Sequence, residues 1–250
     1  MVATFFKTEF KVMFRKKLYL FMSIFLPLAF YLLFTSLLDL PEEAKEPFYK
    51  EYMYSMTVFS LLNFCMLSFP LDMIEERNNG WYKHLMSTPL KPSQYYLVKV
   101  LKTMCQFLGA IIVIFTVAHF YKDVSMNLSD WLLSGVTLWV GASLFLTLGL
   151  IIAQFSDSQK ASSVANLLNM AMAIVGGLWF PINTFPDWLQ TISKKMPTYH
   201  LKQMSLDLGK DKGINYESLG FLLVYSIIFL SIALLINKKR SEERRVGKEC

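Results

Sequence analysis

Charge is scarce in this sequence. Acids and bases make up 18% of its 250 residues, where a soluble domain averages about 25%. Hydrophobic residues make up 54% and the mean hydropathy is +0.38. The deficit is too large to hide in one core, so a soluble domain is excluded. The net charge of +6 does not imply nucleic acid, because the lysines and arginines cluster beside apolar runs, where membrane orientation accounts for them. Cysteine is equally sparse. Cys65, Cys105 and Cys250 form no CxxC pair, and two of them sit inside apolar runs. That excludes a disulfide framework and a zinc site. HExxH, GxSxG and paired intramembrane aspartates are missing, and His84, His119 and His200 are scattered over different loops or span ends. An intramembrane hydrolase therefore has no visible catalytic set. A phosphate-cradling GxxxxGK[ST] loop is also missing, so the chain carries no ATPase of its own. No apolar stretch has an acid or base at its centre, which disfavours proton or sodium coupling. No cleavable signal peptide is apparent, because the first apolar run is too long for a signal core and no small-residue cleavage site follows it.

Long apolar runs are abundant. Six stretches, at 18–38, 53–73, about 103–120, 131–155, 161–182 and 219–236, are long enough or nearly so to cross a bilayer. Their backbone groups must bond within each segment, which makes them helices. The expected fold is all-α: a polytopic membrane protein with six transmembrane helices. With both termini cytoplasmic, 13 basic residues lie inside and 8 outside, as the positive-inside rule requires. The fifth loop dissents, with Lys194, Lys195, Lys202, Lys210 and Lys212, but it is long, and long loops obey the rule less well. In the N-terminal arm Phe6, Phe10, Met13 and Phe14 recur at helical spacing between Lys7, Lys11 and Arg15. This pattern predicts an interfacial helix with phenylalanines in lipid and lysines at headgroups; the alternative is a plain charged flank. Residues 240–250 (RSEERRVGKEC) resemble translated adapter sequence and are expected to be a non-native tail after a domain at 1–239.

The loop after the second span is the densest in information. The span ends at Asp72, and Glu75, Glu76, Arg77, Gly80, Trp81 and Tyr82 follow, then a short helical stretch closed by Thr88 and Pro89. Pro92 and Ser93 restart a helix into the third span. A charged, aromatic helix of this kind suits a soluble partner, since aromatic and Arg residues anchor such contacts. A solvated loop with snorkelling lysines fits the residues equally well. Inside the spans, Asn63, Asn166 and Asn169 are polar, and the last two share a helix face. They either line a substrate pathway or hydrogen-bond between helices. Pro27 and Pro70 are expected to kink the first two spans.

Glu76-Arg77, Gly80 and the run from Leu85 through Thr88-Pro89-Leu90 resemble the cytoplasmic motif of type-2 permeases of ATP-binding-cassette exporters. Trp81 stands where that family has Thr, and Lys83 stands near its usual acid. A second stretch is similar to the same family's fifth span and the short extracellular re-entrant helices after it: Gly176-Gly177-Leu178-Trp179-Phe180-Pro181, then Phe185-Pro186-Asp187-Trp188 and Pro197-Thr198-Tyr199-His200. Trp179, Trp188 and Tyr199 are expected at the outer interface. The resemblance implies that Glu75, Glu76, Arg77, Gly80 and Trp81 couple to an ATPase subunit, and that the N-terminal helix packs beside that surface. It implies a homodimer of this chain with two copies of a separate ATPase, which holds the ATP and Mg. No cofactor or metal is expected on this chain, which is itself no enzyme. Asn63, Asn166, Asn169, Trp179 and Phe180 are the candidate pathway. The expected function is a plasma-membrane permease exporting an amphiphilic or hydrophobic drug, lipid or peptide. The alternative is a non-transporting membrane scaffold or sensor.

Overall fold

The computed structural model describes residues 2–15, 17–39, 41–210, 213 and 215–249, without the side chains of 17–19 and 237–249. Lys16 and Lys212 lie outside the described residues, as do the side chains of Lys17, Lys238, Lys239 and the 240–250 tail. All described elements are helical: α1 Val2–Arg15, α2 Lys17–Leu37, α3 Glu42–Asn63, α4 Phe69–Asn78, α5 Trp81–Met86, α6 Pro92–Lys122, α7 Leu128–Ser143, α8 Leu146–Ile152, α9 Ser158–Val175, α10 Asp187–Ser193, α11 Pro197–Leu208 and α12 Tyr216–Glu249.

Among the described residues five helical stretches are long and apolar enough to cross a membrane: Leu20–Leu37, Glu42–Asn78, Pro92–Lys122, Leu128–Ile152 and Tyr216–Ile236. The second runs well past the expected 53–73. Pro41 precedes its first turn, and Glu42 and Glu43 complement the positive end of the helix dipole there. At its other end the helix does not stop at Asp72 but continues to Asn78. Between α3 and α4 lies a π turn, Phe64–Ser68. Pro70 follows it; its ring carries no N–H for the carbonyl of Met66, and a wider turn relieves the clash. The expected irregularity of the second span is therefore a π turn just before the proline. The third span likewise begins at Pro92 rather than about 103, so Lys99 and Lys102 belong to its helix.

The stretch expected at 161–182 ends early. Helix α9 spans 18 residues and stops at Gly176 and Gly177, the latter at φ 68°. Ser158, Gln159, Lys160, Asn166 and Asn169 hold its hydropathy below that of the other five.

The order from centre to rim follows from burial. The most apolar window of the α3–α4 rod is 83% buried, against 22% for α2 and 11% for α12. Those two present Phe21, Phe25, Leu33, Leu223, Ile227 and Leu235 outward, as surfaces solvated by lipid do. Helix α11 packs between α3, α7 and α12. Helix α8 touches the π turn, where any Cβ on Gly149 would press on the Cys65 carbonyl. Close approach of small residues is the usual way membrane helices gain packing contact.

Candidate coupling site and polar core

At one end of the bundle α4 stops, and the chain reverses through Asn79 and Gly80. Gly80 has φ 75°, a left-handed conformation that disfavours side chains with a Cβ. It caps α5, whose Trp81 is exposed and stacks on His84 at 5.4 Å. Leu85 turns inward and anchors the short helix. The five residues expected to act together separate into three roles here. Glu75 and Trp81 are exposed, and Gly80 shapes the turn. Arg77 points back into the bundle, donating Nη2 to the carbonyls of Ala153 and Phe155, each at 2.6 Å. Asn78 adds a bond to the Ser156 carbonyl at 3.2 Å. The end of α4 is thereby tied to the link between α8 and α9.

Glu76 turns the other way, into a buried charge network unforeseen from the sequence. It accepts hydrogen bonds from the Tyr95 hydroxyl at 2.7 Å and from Lys99. Lys99 also donates to Glu9 of α1 at 2.6 Å, and Lys102 donates to Glu9 at 3.2 Å and to Asp72. Both lysines are nearly inaccessible, at 1% and 2% exposure. Burial alone would push the Glu9 carboxyl up; the Lys99 and Lys102 ammoniums overcome it and hold the pKa below its ordinary value. In α1 the stripe Phe5, Glu9, Met13 faces the protein, with Phe5 stacked on Tyr95 at 6.0 Å. Met13, counted with the phenylalanines in the periodic pattern, is buried because it shares that stripe with Glu9, while Phe10 and Phe14 are exposed.

Midway along the rod Asn169 donates to Asn63 at 2.6 Å, both buried, while Asn166 is exposed beside Ser162. The structure thus joins Asn63 to Asn169 and leaves Asn166 exposed at the edge of that face. Toward the far end Trp179 is half-buried and sits edge-on to Phe30 and Phe59, each at 5.5 Å; Phe180 and Trp188 are exposed, and Tyr199 is half-buried. Lys202 is 2% exposed and donates to Glu51 at 3.1 Å and to the Gly177 carbonyl at 3.2 Å. Among the described residues no group of three His, Cys, Asp or Glu could hold a metal ion.

Residues 38–235 match the family described as ABC-2 family transporter protein. The chain belongs to that family. It is also 28% identical to the putative transport permease YvfS of Bacillus subtilis over 232 residues, covering 93% of this chain and 95% of that protein. The chain is therefore a membrane permease subunit, and its family implies an ATP-binding-cassette ATPase as partner.

The permease residues that sequence reading missed are Glu9, Asp72, Lys99 and Lys102. One local signal was present: Glu9 is the sole acid of α1 and is spaced four residues from both Phe5 and Met13. Lys99 and Lys102, three apart, share a face of α6. The Asn63–Asn169 contact carries its own expectation. Changing Asn63 to Leu leaves the Asn169 amide without its partner. A loss of about 0.6 to 1.7 kcal/mol is expected, the range for hydrogen bonds between membrane helices. Denaturant unfolding of the permease in detergent measures it, and a much larger loss would mean that the pair does more than hold α9 to the rod.

Proposed function

We propose that the permease is the membrane half of an ATP-driven exporter that carries an amphiphilic or hydrophobic cargo out of the cell. It works as a homodimer with two copies of a separate ATPase, which bind ATP and Mg, while this chain binds no cofactor. It resides in the plasma membrane with both termini cytoplasmic, so the α4–α5 elbow faces the cytosol. The domain runs from 1 to 239, and 240–250 is an appended tail. Helix α9, about 27 Å long at 1.5 Å per residue, makes the sixth crossing, tilted little and closed by the Gly176–Gly177 turn. Helix α1 lies in the cytoplasmic interface, and α10 and α11 form the outer re-entrant pair.

The observation that carries this reading is the elbow: a short exposed helix with Trp81 at its head, whose root is wired through Glu76 into α6 and through Arg77 into the α8–α9 link. A push on α5 would be transmitted to α6 through Glu76 and to α8 and α9 through Arg77. Glu75, Gly80 and Trp81 meet the ATPase. Asn63, Asn166, Asn169, Trp179 and Phe180 remain the candidate cargo pathway, with Asn166 and Phe180 exposed on this chain.

Co-purification with a tagged ATP-binding-cassette ATPase co-expressed with this chain tests the reading. Proline cannot adopt φ 75°, so Gly80→Pro re-aims α5. Trp81→Ala removes an exposed aromatic anchor, a change that costs 2 kcal/mol or more at an interface hot spot, about thirtyfold in affinity. Both variants are expected to insert in the membrane and lose the ATPase, while Trp188→Ala, exposed at the far end, retains it. Undiminished pull-down by both elbow variants would contradict the coupling role.

A further inference from the structure

Helix α1 divides into parallel stripes. Each residue advances the helix by about 100°, so steps of four drift slowly and define a face. Phe5, Glu9 and Met13 face the bundle. Phe6, Phe10 and Phe14 form the next stripe, with successive ring centroids 6.2 and 5.2 Å apart. Lys7, Lys11 and Arg15 form the third, and all three are exposed. Thr4, Thr8 and Val12 complete the circle. The one acid in this helix, Glu9, is turned inward and engaged by Lys99 and Lys102. It therefore leaves the basic stripe without an acid on its own helix and fixes the rotation that aims it.

The order of the stripes determines what they meet. With the aromatic stripe sunk in hydrocarbon, the neutral Thr–Val stripe points to the cytosol. The basic stripe then lies at headgroup depth, directed sideways and away from the bundle. A soluble partner would approach from the Thr–Val side, whereas phosphates of neighbouring lipids stand in front of Lys7, Lys11 and Arg15. We propose that this stripe is a binding site for anionic phospholipid headgroups, selecting them over zwitterionic ones. The inference rests on α1 being an interfacial helix and adds to it a preference for headgroup charge.

The test uses the full chain with a photo-crosslinking phenylalanine analogue in place of Phe14, which is 52% exposed. The protein is placed in nanodiscs of equal parts phosphatidylcholine and phosphatidylglycerol, and the adducts are weighed by mass spectrometry. Phosphatidylglycerol adducts are expected to exceed phosphatidylcholine adducts by about fivefold, the factor conferred by one basic side chain near an anionic surface. In the variant Lys7→Gln, Lys11→Gln, Arg15→Gln the ratio falls to about one. The exposed positions of these residues leave the fold intact, which the elution profile and unfolding temperature verify. Abundant lipid adducts with no preference in the parent protein overturn the inference and leave the interfacial helix standing. A preference that survives the triple variant also overturns it. If no lipid is captured, α1 does not lie in the bilayer surface, and the inference falls with that reading.

Discussion

Replacing Lys99 with methionine is expected to lower the stability of the folded permease by about 3 to 5 kcal/mol, the usual cost of removing one partner from a buried ion pair. Methionine keeps the length and packing of the stem, so the loss isolates the ammonium. In the parent protein that ammonium bonds Glu9 at 2.6 Å as well as Glu76, and lies 5.6 Å from the Tyr95 ring. Without it Glu9 keeps Lys102, which also bonds Asp72, while Glu76 loses the Lys99 ammonium and keeps the Tyr95 hydroxyl. Desolvated charge of one sign then accumulates where α1, α4 and α6 meet. Denaturant unfolding in detergent reads the loss. Adding Glu76→Gln to the variant should restore part of it, because the two sites interact directly and their effects are not additive. The sign of the pH dependence is a second readout. In the parent protein the Glu9 carboxyl titrates below its ordinary value of 4.5. Its contribution is complete above that value and is lost as pH falls through the lower folded one. In the Lys99→Met variant burial gains the upper hand and the carboxyl moves up. The stability gap should narrow as the medium is acidified from neutrality toward the carboxylate range. A gap that stays constant or widens would mean that Glu9 is not held by Lys99.

This network also shows where sequence reading stops. Apolar runs located the rods because lipid imposes a length and a composition that are local properties. They did not locate the rod ends. Residues 42–52 and 92–102 are too polar to count as membrane-spanning, yet both continue as helix. Lys99 and Lys102 look like loop charges until their partners are known, and Glu9 lies 90 residues from the first of them. The same reason explains the dissenting fifth loop. Lys202 is a core residue of α11, bonded to Glu51, and not a free loop charge. The motif around Glu76 and Arg77 was legible as a motif, but motif spacing carries no information about which way each side chain turns. Glu76 and Arg77 are adjacent in sequence and engage different elements, helix α6 and the α8–α9 link.

The α3–α4 rod is consequently gripped at both ends by buried lysines. Lys202 holds Glu51 at the far end, and Lys99 and Lys102 hold Glu76 and Asp72 at the elbow end. Between the grips lie the π turn and the Asn63–Asn169 contact. A π turn leaves part of the helical ladder irregular, so it is the place where the two ends can shift relative to each other with the least loss of hydrogen bonding.

Arg77 completes that linkage, and its removal should separate ATPase binding from transport. Arg77→Met keeps the aliphatic stem and deletes the head that bonds the Ala153 and Phe155 carbonyls. Hydrogen bonds from a charged donor contribute about 1.5 to 3 kcal/mol each, so the tie between the elbow and the α8–α9 link should be largely lost. Helix α5 does not depend on this contact: Gly80 sets its entry, and Leu85 anchors it. The variant is therefore expected to retain the ATPase in a pull-down and to permit ATP hydrolysis, while cargo transport in reconstituted vesicles falls at least tenfold, equivalent to a coupling loss of about 1.4 kcal/mol or more. The opposite result, loss of the ATPase from a variant with normal unfolding temperature, would make Arg77 part of the docking surface. Transport unchanged with the ATPase bound would mean that the stroke reaches the bundle through Glu76 and Lys99.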